Sequence, residues 1–184
     1  MNTIPPEPGF YALELRLTHP AQLRIGQLGE QLFPAGVYIY AGSALGPGGL
    51  RARLGRHLQA KEKRTHWHID YLGQAARVEA LAYIIVSPDK FHISRSAEPG
   101  PDAIPIECLW SQALARMPGA SIPVSGFGAS DCCSGCRAHL VAFFPPDFAP
   151  DERMPLLSRP QIGRRLAGSA GVVLEGLIVY AISP

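Results

Sequence analysis

Residues Gly36 to Leu58 read GVYIYAGSALGPGGLRARLGRHL, a strand that turns into a helix. In the first part Tyr38 and Tyr40 share one face while Val37, Ile39 and Ala41 share the other, the period of two that an extended chain imposes. The segment LGPGG, Leu45 to Gly49, is too rich in turn formers to continue either element and reads as the turn itself. Beyond it Leu50, Leu54 and Leu58 recur every fourth residue, a helical stripe directed at a core. Arg53 and His57 are also four apart, so they stack beside that stripe with their polar ends at the helix edge. Arg51 and Arg56 point elsewhere on the same helix.

Upstream, Gly9 to Leu17 reads GFYALELRL, with Tyr11, Leu13, Leu15 and Leu17 in strict alternation, a half-buried strand. Leu23 to Phe33 is broken at Gly26 and Gly29 and reads as an irregular strand or hairpin. Downstream, HWHIDYL opens a short helix and VEALAYIIV is a central strand. Ile106 to Met117 is an amphipathic helix that ends before Pro118-Gly119. A turn-rich loop bearing cysteines follows, then the strand Ala138 to Phe144. Past Pro145-Pro146 the chain is polar and proline-punctuated until Gly171–Ile182, a late strand. Strands first and last around helices predict an α/β sandwich of α+β type: a small, mainly antiparallel central sheet flanked by helices in two or three layers. Residues 1–146 are expected to form one domain, with 147–184 a C-terminal extension packed on it.

A chain of 184 residues, 47% of them apolar, can bury one good core and is not expected to be disordered. Its 19 glycines and 18 prolines fit short elements joined by many turns rather than a helical bundle. The net charge of +2 alone diagnoses no partner, but its distribution is uneven. Arg51, Arg53, Arg56, Lys61, Lys63 and Arg64 place six of the 17 cations in one segment whose only acid is Glu62. That is either a phosphate footprint or a solvated helix face. The polar, proline-broken start MNTIPPEPGF is not a leader peptide, and the longest apolar run, Gly171–Ile182, is too short to span a bilayer. A cytoplasmic protein with no membrane partner is expected, in which the four cysteines stay reduced.

Taken in order, Gly9-Phe10-Tyr11, Tyr40-Ala41-Gly42-Ser43 and Arg53-x-x-x-His57 resemble the GIY-YIG nuclease superfamily. The second block, together with HWHIDYL, IECLWSQ and FGASDC, is most similar to the branch labelled Uri superfamily endonucleases. The resemblance covers about Gly9 to Phe144. It implies a GIY-YIG-like fold that hydrolyses phosphodiester bonds of nucleic acid, DNA before RNA, with one divalent metal, Mg²⁺ or Mn²⁺. It also implies catalytic roles for Tyr11, Tyr40, Arg53 and His57, and a metal-binding carboxylate at Glu107. The residue types suit such chemistry. A guanidinium stays protonated and can grip phosphate with two bonds, a carboxylate offers Mg²⁺ a hard oxygen, and Tyr11 can take a proton from water if Arg53 and the metal lower its pKa. His57 can relay the proton or bind the phosphate. Arg51, Arg56, Lys61, Lys63, Arg64, His66 and His68 are the expected nucleic-acid contacts. Two departures stand out. Tyr-Ala-Gly replaces Tyr-Ile-Gly, and the late asparagine of many members is missing, Asn2 being the sole asparagine; Asp131 or Gln112 can take its place.

FGASDCCSGCRAHL holds a second group, in which Cys133, Cys136 and His139 have a spacing suited to a structural Zn²⁺. Cys132, Cys108, His66 or His68 can supply a fourth ligand. Buried reduced thiols, or a redox pair of Cys133 and Cys136, are the competing readings. His66-Trp67-His68-Ile69-Asp70 lacks the Pro-Cys-x-x-Cys partner of zinc deaminases, so it reads as a polar rim or a helix cap. Three functions stay open at this point: a metal-dependent endonuclease, a non-catalytic nucleic-acid-binding module on the same fold, and a zinc-stabilised interaction domain. No helix-turn-helix or paired zinc finger accompanies the domain, which favours a structure-specific over a sequence-specific substrate.

Overall fold

The computed structural model describes residues 4–59, 64–86 and 104–144, together with the backbone of 178–181. Strands β1 (Gly9–Leu17), β4 (Gly36–Ala44), β5 (Arg77–Ile85), β6 (Ala120–Ser121), β7 (Leu140–Phe143) and β8 (Ile178–Ala181) form one sheet. Their spatial order is β6-β7-β4-β1-β5-β8, and every described pairing is antiparallel. Between β1 and β4 the chain forms a separate hairpin of β2 (Ala21–Arg24) and β3 (Glu30–Phe33), the irregular piece expected there. The sheet is flanked by α1 (Gly49–Leu58), α2 (His68–Leu72) and α3 (Ile106–Ala115), so the α+β class read from the sequence is the observed one.

The layers follow from the alternation. Tyr11, Leu13, Leu15, Tyr38 and Tyr40 share one face of the sheet, where they pack with Leu50 and Leu54 of α1 and Ile69 of α2. Phe10, Ala12, Ile39 and Ala41 share the opposite face and pack with Trp110 and Leu114 of α3. Burying each large side chain contributes about 1.5–3 kcal/mol, and both faces gain it. The arrangement is therefore three layers, and β1 is not half-buried as its alternation suggests. Phe10, Ala12 and even Glu14 are covered on the second face, because a helix from nearly a hundred residues later closes over it.

One position on α1 differs from the leucine stripe. Leu58 is 36% exposed, whereas His57 is buried. The reason is helical geometry. At about 100° per residue, a residue four further on drifts by about 40°, so Leu58 lies about 80° from Leu50 while His57, seven residues on, lies about 20° from it. The histidine thereby takes the core-facing place.

The turn before α1 needs its glycines: Gly48 and Gly49 have φ of 81° and 52°, a region that side chains with a Cβ enter only with strain. The first helical amides are not left open. Leu50 and Arg51 donate to the carbonyls of Glu7 and Pro5, each at 2.9 Å, so the N-terminal segment caps α1 with its backbone. Of the expected extension 147–184, only Ile178–Ala181 lies among the described residues, and it adds to β5 of the same sheet. The rest of that extension, with Lys61 and Lys63, lies outside them.

Candidate functional site

The register of β1 and β4 sets Tyr11 opposite Gly42 and Leu13 opposite Tyr40, so both tyrosines stand on the α1 face near one end of the sheet. Gly42 is required there. A Cβ on it would lie 2.7 Å from the Tyr11 hydroxyl and 3.0 Å from the Tyr40 ring, closer than real Cβ atoms approach. The two rings sit 6.3 Å apart, tilted by 50°. They form the floor of a cleft of about 350 Å³ that Arg53 of α1, His66, Trp67 and His68 beside α2, Glu107 of α3 and Asp131 also line. Tyr11, Tyr40, Arg53 and Glu107, far apart in sequence, thus share one cavity.

His57 lies behind the cleft rather than in it. Its Nε2 is 2.8 Å from the Tyr11 hydroxyl in a buried hydrogen bond, and its Nδ1 faces Asp70 Oδ1 at 3.9 Å. Asp70 is fully buried. Its Oδ2 accepts hydrogen bonds from Arg56 at 2.8 Å and from the backbone amides of His66 and Trp67 at 3.0 and 3.1 Å. It caps α2 and anchors α1 at once. Sequence reading gave Asp70 a place in a polar rim or a helix cap, and the cap is what forms; its bond to Arg56 and its approach to His57 were not read.

Arg53 is held flat. Its guanidinium lies 3.8 Å over the Trp67 ring, a cation–π contact that orients the planar fork without using its hydrogen-bond donors. The other basic residues divide. Arg56 turns inward, to Asp70, the Arg64 carbonyl and the Trp67 ring at 5.0 Å. Arg51 is exposed and donates from Nε to the Ile4 carbonyl at 3.0 Å. Arg64 and His66 are exposed, and His66 stands edge-on to Trp67 at 4.8 Å. His68 is half-buried and accepts the Gly128 amide on Nδ1 at 3.0 Å; burial lowers its pKa. Among the described residues, Arg53 is the arginine that lines the cleft.

Arg53 alone does not acidify Tyr11. Burial pushes its phenol well above the usual value, nearby Tyr40 adds to this, and the arginine offsets only part of it. Burial raises Tyr40 likewise. The Glu107 carboxyl is also raised, chiefly by burial and against hydrogen bonds from its own amide and the Ser43 side chain. Its Oε2 is buried and has no hydrogen-bond partner among the described residues. An orphaned carboxylate oxygen on a cleft wall is a donor that a hard divalent cation would satisfy. Of the two candidates for the place of the missing asparagine, Asp131 lines the cleft. Gln112 does not, and its amide is turned to the Ser134 carbonyl at 3.3 Å.

Behind Glu107 lies the cysteine–histidine group, with a change of membership. Cys108, Cys132, Cys136 and His139 bring one ligand atom each to within 4.8 Å of one another and can hold a metal ion. Cys133, expected as a ligand, is not part of the group. It is exposed, and its thiol faces the Asp131 carbonyl at 3.7 Å. Adjacent residues on an irregular loop point in different directions, and Cys132 is the one turned toward α3. Cys136 and His139 are placed as the spacing suggested.

Residues 10–151 match the family described as Domain of unknown function DUF123, and the chain belongs to that family. No curated protein and no solved structure matches the chain. Among the described residues, no helix is long and apolar enough to cross a membrane.

Proposed function

We propose that this member of the DUF123 family is a GIY-YIG nuclease of the Uri branch, a metal-dependent endonuclease that hydrolyses DNA phosphodiester bonds. The observation that carries this reading is the convergence of Tyr11, Tyr40, Arg53 and Glu107 on one cleft, with His57 bonded to the back of Tyr11. In-line displacement at phosphorus needs a deprotonated water and positive charge around the equatorial oxygens. Mg²⁺ bound at Glu107 would supply part of that charge. Arg53, fixed over Trp67, supplies the rest to a phosphate oxygen through donors its stacking leaves free.

The hydrogen bond between the Tyr11 hydroxyl and His57 Nε2 gives His57 a role in this reading. Burial disfavours the phenolate, so Tyr11 need not ionise on its own. Donating its proton to His57 Nε2, Tyr11 can instead turn an oxygen lone pair toward a water in the cleft. As the water loses a proton to that oxygen, the phenol proton passes to His57, and the resulting imidazolium faces the Asp70 carboxylate. The tyrosine stays neutral throughout. His57, buried behind it, relays the proton rather than gripping phosphate. Tyr40 orients the water or the phosphate from the same floor.

The first amides of α1 are already bonded to Glu7 and Pro5. Phosphate recognition therefore rests on side chains rather than on that helix terminus. Exposed Arg51, Arg64 and His66 are the outer contacts in this reading, and structural zinc at Cys108, Cys132, Cys136 and His139 belongs to it too, since thiolate-rich donors suit zinc and not Mg²⁺. The test is cleavage of supercoiled, branched and single-stranded DNA with Mg²⁺ by wild type and Glu107→Ala. Nicking by the wild type, lost in the variant, is expected. Equal inertness of two proteins that both bind DNA would instead identify a binding module.

A further inference from the structure

We propose that Cys108, Cys132, Cys136 and His139 bind one zinc ion, and that this ion positions the cleft-lining residues next to its ligands, Glu107 above all. The first half rests on geometry. A tetrahedral site with Zn–S of about 2.3 Å and Zn–N of about 2.0 Å has sulfur–sulfur edges of about 3.8 Å and sulfur–nitrogen edges of about 3.5 Å. Cys108 Sγ lies 3.6 Å from Cys132 Sγ and 3.5 Å from His139 Nε2, and the whole set fits within 4.8 Å. Four protein ligands leave no open position, which marks a structural rather than a catalytic ion. Gln112 Nε2 lies 3.7 Å from Cys136 Sγ, an outer donor of the kind that steadies a thiolate ligand.

The second half rests on where the ligands sit, and on the reading of Glu107 as a cation-binding carboxylate. Cys108 follows Glu107 in the first turn of α3. Cys132 follows Asp131. His139 accepts the amide of Ala41, next to Tyr40, on its carbonyl at 3.0 Å, and donates its own amide to Phe127 at 2.8 Å. Each of these ligands is one step in chain or hydrogen bond from a wall of the cleft. Three of them come from a loop of turns and bends between β6 and β7, and the fourth from a helix packed on the opposite face of the sheet. One ion therefore fastens the loop to the helix at the place where Glu107 and Asp131 must face each other.

The experiment measures zinc content and, separately, Mn²⁺ binding at the cleft by electron paramagnetic resonance; soft thiolates bind Mn²⁺ poorly, so the two readouts do not mix. Wild type purified without chelator should carry about one zinc per chain, and Co²⁺ exchanged into it should show tetrahedral thiolate bands. Cys133→Ala should match the wild type. Cys136→Ala should lose the zinc and bind Mn²⁺ about 10–100-fold more weakly. Wild type without zinc overturns the proposal. So does a folded, zinc-free Cys136→Ala that binds Mn²⁺ as the wild type does. Should that variant not fold, wild type stripped by a zinc-selective chelator and refilled with zinc gives the same comparison. Glu107→Gln should keep its zinc and lose Mn²⁺ binding. Unchanged Mn²⁺ binding in that variant counts against the nuclease reading itself, while zinc content is decided independently of it.

Discussion

Removing the Tyr11 hydroxyl while keeping its ring separates packing from chemistry at the most enclosed point of the cleft. Tyr11→Phe leaves the aromatic contacts with Tyr40 and His57 in place and deletes the bond to His57. Stability should fall by about 1 kcal/mol in urea unfolding. Cleavage should fall by about 10²–10⁴-fold, the usual worth of positioned proton transfer; an unchanged rate would remove the relay from the mechanism. Asp70 belongs to the other extreme, where structure dominates. Asp70→Ala leaves Arg56 and two amides without their shared acceptor and should cost about 3–5 kcal/mol, the range for breaking a buried pair from one side, read in the same unfolding assay. The resemblance to a family's ordered motifs pointed to Tyr11, Tyr40, Arg53, His57 and Glu107. The sequence pointed to Asp70 only as a rim or cap residue, not as the partner of Arg56, and it did not give the choice of Cys132 over Cys133. Both depend on which way a short segment faces once a distant element has packed against it.

Elements were easier to read than their environments. Alternation marked β1 and β4, VEALAYIIV read directly as the central strand β5, and the stripe on Leu50 and Leu54 marked α1, since those patterns are local properties of the chain. What alternation could not state is that α3 would cover the second face of β1. The same limit applies to Leu58, whose place in the stripe is undone by helical drift. The consequence is measurable: Leu54→Ala should cost about 2–5 kcal/mol, while Leu58→Ala should stay within about 0.5 kcal/mol. Equal losses would mean that α1 is rotated from the orientation described. Strand pairing has its own test at Gly42. A Cβ there meets the Tyr11 hydroxyl, so Gly42→Ala should shift the ring and lower cleavage far more than it lowers the melting temperature.

For the molecule as a whole, three of the tyrosines on the sheet's α1 face set a limit in alkali. Burial raises the phenols of Tyr11, Tyr38 and Tyr40 above the usual value. A group whose folded pKa is raised stabilises the fold below its unfolded pKa and loses that contribution as pH rises past it. For phenols the loss begins near pH ~10, at about 1.4 kcal/mol per pH unit for each one. Urea midpoints should hold to about pH 9 and drop steeply by pH ~11, and Tyr38→Phe should lessen the drop. A flat profile would mean the phenols are solvated.

The position of β8 carries one more implication. The family match ends at residue 151, yet the strand that completes the sheet beside β5 is Ile178–Ala181. A fragment cut at the family boundary would keep the cleft and lose its selvage. It would bare the β5 positions Ala80 to Tyr83 that β8 covers, leaving the outer edge of that strand as a template on which sheets of separate molecules join. Such a fragment should elute as dimers or larger species in size-exclusion chromatography, and a lysine in place of the exposed Ile85 should restore smaller ones. Past the family boundary, the tail would then act as a guard against self-assembly.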